Sequence, residues 1–152
     1  MKIQRKEQGF TIVELLIVIV VIGILAGLVI TTFTGIQQKA RNTERQTDIK
    51  AIQSHLEAYN AQNGFYPTLA NMNDTAFRSS NLKGLDADAL ADPKAPTVQT
   101  LAAAPAANVY SYAVTTTAGG ACTNVAGVEC TVWTLTATNE GTPTTTFEKK
   151  SL

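Results

Sequence analysis

No proline occurs before Pro67, and Glu14 is the only charged residue among the 21 from Phe10 to Ile30. The first absence removes the strongest helix breaker from the opening stretch of the chain. The second excludes a water-facing surface for that run. His55 is the only histidine, which leaves no basis for a histidine-rich metal centre. Its neighbour Ser54 points away from it if both lie on a helix, so no nucleophile–base pair forms there. Two cysteines, Cys122 and Cys130, are too few for a disulfide scaffold and carry no zinc-site spacing. An excess of either charge is also missing, with 12 Lys plus Arg against 12 Asp plus Glu. That balance argues against a nucleic-acid binder working by bulk charge. No Walker loop, acid–base–nucleophile set or ligand cluster is visible, so neither an enzyme nor a cofactor is expected. At 152 residues the chain fits one domain with an appended segment.

What is present begins with the oily run itself. Valine and isoleucine dominate Phe10 to Ile30, yet no strand continues unbroken for this length, so a helix is expected. At 1.5 Å per residue it extends about 31 Å, the thickness of a bilayer core. Lys2, Arg5 and Lys6 precede it, with Glu7 as the only acid. Positive charge on that side keeps the preceding end cytoplasmic and sends the remainder outward. The run is longer than the apolar region of a secretory signal peptide. A plain membrane anchor fits length and flanks but does not account for Gly9 and Glu14. A carboxylate at the centre of a span costs roughly 2.5–3.5 kcal/mol, less near the face where Glu14 lies. Two partners are open to it. Cleavage between Gly9 and Phe10 would create a largely protonated amine at the bilayer edge. Alternatively, the helix N-terminus and interfacial water stabilise the carboxylate.

The stretch "KEQGFTIVELLIVIVVIGILAGLV" closely resembles the class III signal of the type IV pilin and pseudopilin family, in residues 2 to about 30. The resemblance implies that prepilin peptidase cuts after Gly9 and methylates the new amine of Phe10. It implies that Glu14 attracts the amine of an adjacent subunit during assembly. Gly23 and Gly27 form a small-xxx-small pair within the span, a site of close helix packing or local softness. Related chains often carry a proline beyond the first of these glycines, in the region of Ile30 to Thr32. This one reads Ile30-Thr31-Thr32, so any unwinding there must proceed without proline.

Beyond the span, Phe33, Ile36, Ala40, Ile49, Ile52, Leu56 and Tyr59 recur at helical spacing as one apolar stripe. The charged "QQKARNTERQTDIK" between its two parts reads as a solvated face. Arg41, Glu44, Arg45 and Asp48 are candidates for pairing between subunits packed side by side. Asn63-Gly64 is a helix stop. The expectation is one helix of roughly 50 residues, about 75–80 Å long.

Gly64, Tyr66 and Pro67 match a Gly-x-Tyr-Pro sequence that follows the long helix in the same family, and Tyr66 is expected to pack back on that helix. Residues 68–107 read as a connecting loop with one or two helical turns, with "AAAPAAN" as an exposed or flexible tip. Asp86, Asp88 and Asp92 are weak calcium candidates, lacking the glycine and the later glutamate of a calcium loop. Asn73-Asp74-Thr75 matches a glycosylation sequon, and the Thr142–Thr146 stretch is a further place for sugars. "VYSYAVT" (109–115), "CTVWTLTAT" (130–138) and "TTTFEK" (144–149) alternate and are separated by glycine turns, an antiparallel meander. Trp133 and Leu135 are the candidates to cover the helix stripe. Cys122 and Cys130 flank a turn and would join in an oxidising compartment.

The expected fold is α+β: a long N-terminal helix on a small antiparallel sheet, the pilin arrangement. The expected organisation is a leader (1–9), an apolar helix half (10–30), an amphipathic half (31–63) and a globular head (64–152). The expected function is that of a structural subunit polymerised through its apolar helix into an extracellular filament. Its partners would be further copies of itself, prepilin peptidase, membrane lipid, and an inner-membrane assembly platform with its ATPase. No direct nucleic-acid binding is expected. It would wait in the cytoplasmic membrane as a single-pass protein, head outside. The alternatives are a pseudopilin of a type II secretion or DNA-uptake system, and a membrane-anchored binding domain that never polymerises.

Overall fold

The computed structural model describes residues 9–151. Helix α1 runs Ile12–Asn63, followed by short helices α2 (Leu69–Asn73) and α3 (Thr75–Asn81) and a 3-10 turn at Ala87–Leu90. Strands β1 (Ser111–Thr115), β2 (Val132–Thr138) and β3 (Thr146–Lys150) complete the chain. The fold is thus α+β, a long helix with a small three-stranded sheet. The chain divides into two compact units, one ending at Gln37 and one beginning at Gln38.

In the first unit α1 carries a stretch long and apolar enough to cross a membrane. Its described side chains are all exposed, Phe10, Ile17, Leu25 and Phe33 among them. A Cβ added at Gly23 or Gly27 would meet nothing within 4 Å. The helix continues without a break through Ile30-Thr31-Thr32, and the Thr32 hydroxyl donates to the Leu28 carbonyl at 3.0 Å.

In the second unit, the Ile49, Ile52, Leu56 and Tyr59 stripe is buried with Tyr110, Tyr112, Trp133, Leu135 and Ala137 in one core. The strands are antiparallel in the order β1-β2-β3. Tyr112 lies opposite Leu135, Val114 opposite Trp133, and Phe147 opposite Ala137. These pairs share one face because side chains alternate along a strand.

Gly64 ends α1 at φ 81°, a left-handed conformation that glycine adopts without a Cβ clash. Tyr66 then returns toward the helix. Its hydroxyl donates to Glu57 Oε2 at 3.0 Å, and its ring meets Trp133 edge-on. Its backbone N–H donates to the Cys130 carbonyl at 2.7 Å. The Tyr112 hydroxyl donates to the Pro67 carbonyl at 2.7 Å, joining the helix exit to β1.

The connecting segment holds more helix than one or two turns. Thr68 caps α2 in a reciprocal box with Asn71, and Asp74 caps α3. The alanine-rich stretch is exposed at 103–108 but tethered. Ala102 exchanges backbone hydrogen bonds with Tyr110 and Tyr112, and the Thr138 hydroxyl donates to the Ala106 carbonyl.

Candidate functional site

Gly9 and Phe10 precede α1 without regular structure, and Phe10 is 81% exposed. The remainder of the leader, with Lys2, Arg5, Lys6 and Glu7, lies outside the described residues. Thr11 and Glu14 form a closed set of hydrogen bonds at the helix start. The Thr11 N–H donates to Glu14 Oε2 at 2.9 Å, and the Thr11 hydroxyl donates to the same oxygen at 2.8 Å. In return the Glu14 N–H donates to Thr11 Oγ1 at 3.2 Å. This is the capping box of a helix N-terminus, signalled by Thr-x-x-Glu. Sequence reading considered Glu14 without Thr11. The spacing alone would have found the partner. Within one chain the carboxylate is therefore held by the helix start.

The charges along α1 are placed differently from a solvated face. Arg45 is fully buried, its Nε and Nη2 forked onto Asp92 Oδ2 and Oδ1 at 2.6 and 2.9 Å. Arg41 forks onto Glu140 through Nε at 2.7 Å and Nη2 at 2.6 Å. Both arginines are thus engaged inside the subunit. Their hydrogen bonds hold Glu140 far below the usual carboxylate range, at about 2, with Arg41 contributing most. Asp48 accepts a hydrogen bond of 2.7 Å from the Tyr110 hydroxyl, yet burial pushes its carboxyl up to about 6. Glu44 stays exposed.

The three aspartates singled out for calcium have separate duties. Asp92 is buried against Arg45, Asp86 caps the 3-10 turn, and Asp88 accepts from Gln99 Nε2 at 2.8 Å. No group of three or more His, Cys, Asp or Glu side chains is placed to hold a metal among the described residues. The sequon asparagine is also occupied. Asn73 Nδ2 donates to the Leu101 carbonyl at 3.0 Å, and Oδ1 accepts from the Leu101 N–H at 2.8 Å. The Ser54 hydroxyl donates to the Lys50 carbonyl, turned back on its own helix. Cys122 and Cys130 are joined by a disulfide. Asn124, inside the loop that it closes, donates to the Tyr66 carbonyl and accepts from the Cys130 N–H.

The model for the prokaryotic N-terminal methylation motif matches residues 4–30. The type II secretion system core protein G of Vibrio cholerae is 41% identical over 68 residues, which cover 45% of this chain and 47% of that protein. The same-named protein of Escherichia coli is 40% identical over 68 residues, covering 45% and 47%. That of Dickeya chrysanthemi is 40% identical over 65 residues, covering 43% and 42%. In its N-terminal part the chain is similar to proteins of the type IV pilin and pseudopilin family. The matched stretches span less than half the length of these curated relatives. No solved structure matches the chain. The relatives are secretion-system proteins, which favours the pseudopilin alternative over the pilus subunit. The apolar part of α1 and this similarity indicate membrane anchoring.

Proposed function

We propose that the chain is a pseudopilin: a structural subunit of a short fibre within a secretion apparatus of the type II kind. The observation that carries this reading is the coincidence of two facts. Secretion core protein G of three organisms is about 40% identical to this chain over 65–68 residues. The same chain leaves a long apolar helix surface with no cover inside the subunit. Exposed apolar surface of that extent needs lipid or further helices around it.

In this reading the leader is removed between Gly9 and Phe10 by prepilin peptidase, which methylates the Phe10 amine. The subunit waits in the cytoplasmic membrane, leader side in and head out. An inner-membrane platform and its ATPase then lift it into the fibre. Leaving lipid for the fibre keeps the helix in apolar surroundings, so the transfer changes little hydrophobic free energy. Glu14 acts when the helix reaches a neighbour. The Thr11 box satisfies the carboxylate while it waits, and the incoming amine competes for the same oxygens. The pair sets register more than strength, because desolvation offsets much of its attraction.

Mass spectrometry of the mature chain and electron microscopy of producing cells test the reading together. A product beginning at methylated Phe10 and short fibres are expected. Long surface fibres would favour a pilus subunit. An uncut chain, or a processed chain that never forms fibres, would overturn the proposal in favour of an anchored binding domain.

A further inference from the structure

The ion pairs at the start of the head are arranged as a joint between three separate segments. Among the described residues, Arg41 is the first of α1 to bond to the turn between β2 and β3. Arg41, Arg45 and Lys94 converge on Glu140, in the turn between β2 and β3, at 2.6, 3.0 and 3.6 Å. Asn42 reads the backbone of the same residue in both directions. Its Nδ2 donates to the Glu140 carbonyl and its Oδ1 accepts from the Glu140 N–H, each at 2.9 Å. The second fork, Arg45 to Asp92, ties in the segment after the 3-10 turn. The apolar part of α1 that enters the head core begins further on, at Ile49.

A buried ion-pair cluster is weak evidence of stability, since apolar residues of similar volume often do as well. Forked arginines do something apolar contacts do not: they fix direction and rotation. Half of residues 41–48, namely Asn42, Thr43, Thr47 and Asp48, are modest helix formers. The Thr43 and Thr47 hydroxyls also bond back to the Lys39 and Thr43 carbonyls, a habit that bends helices.

We propose that Glu140 is the positioning residue of a clamp through which a pull along α1 is delivered to the head during fibre assembly, an inference that rests on the fibre-subunit reading above. Drawing an apolar helix out of lipid loads the chain along the helix axis. With the clamp closed, residues 41–44 move with the sheet. With Glu140 released, the buried Arg45–Asp92 fork and the Asp48–Tyr110 bond still hold the helix, and the turn from Arg41 to Glu44 becomes a compliant link.

The test uses the full chain in detergent and in cells that form fibres. Glu140→Gln keeps the size of the side chain and the backbone contacts to Asn42 while removing the charge that the arginines fork upon. Amide hydrogen exchange of residues 41–44 is expected to quicken by about tenfold, with residues 49–59 unchanged. Fibres of the variant are expected to assemble but to break into shorter lengths under a fixed shear. Glu140→Asp, which retains the charge on a shorter stem, should restore part of the length. Should Glu140→Gln not fold, Arg41→Lys keeps the charge, loses the fork and should shift both readouts the same way. Unaltered protection of residues 41–44 would overturn the clamp. So would fibres of normal shear resistance despite faster exchange, because a purely structural contact would behave in that way. If the unaltered chain forms no fibres, the fibre reading falls and this inference with it; the exchange measurement needs no fibre and separates the two failures.

Discussion

Thr11 and Glu14 satisfy each other at the helix start, so an assembling neighbour must displace a bond rather than fill a vacancy. Glu14→Ala is expected to leave membrane insertion intact and to reduce fibre yield severely; normal fibres from that variant would remove the register role. Thr11→Ala loosens the same helix start by about 1 kcal/mol but leaves the carboxylate free for the amine. It should therefore assemble far better than Glu14→Ala, which fibre counts from the two strains would check. At Asp48 the sign of the pH effect follows from its raised carboxyl, near 6 against an ordinary 3.8. A group held higher in the folded chain contributes stability below its unfolded value and loses it as pH rises through its folded value. Asp48→Asn keeps an acceptor for Tyr110 and removes the charge. After allowance for solvent screening, the gain at pH 7.5 is on the order of 1–2 kcal/mol. It should vanish near pH 4, and parallel thermal melts at the two pH values would show whether it does.

At the level of elements, the head is held by one helix face and one sheet face. Leu56 is fully buried between them, so Leu56→Ala should cost about 2–5 kcal/mol, read as a lowered melting temperature with the sheet lost together with the helix. The stripe that makes this contact was legible, because a 3- and 4-residue spacing can serve only one face of a helix. The strands were legible for the same kind of reason at period two. The short helices α2 and α3 were harder to place. Their caps, Thr68 and Asp74, are residues that also favour turns, and five to seven residues carry too little periodicity to decide.

For the whole molecule, cohesion of the fibre is expected to come from apolar burial along α1 rather than from surface charge. Raising the salt concentration should leave fibres intact, whereas a mild detergent should dissolve them. Fibres that come apart in salt and survive detergent would contradict this. The arginines once available for pairing between copies support the expectation, since Arg41 and Arg45 are already spent within the subunit.

The sequence by itself determined the apolar helix, its stop at Gly64, the three alternating strands and the family motif. Each is a local pattern, and local patterns are carried by spacing along the chain. The tertiary structure alone decided the fate of the charges. Arg45 meets Asp92 across 47 positions and Arg41 meets Glu140 across 99. Asn73 binds Leu101 instead of standing open, and Asp86, Asp88 and Asp92 face three different partners. A charged or amide side chain is read from sequence as solvated because water is its default partner. Only the fold determines which distant backbone or side chain replaces that water.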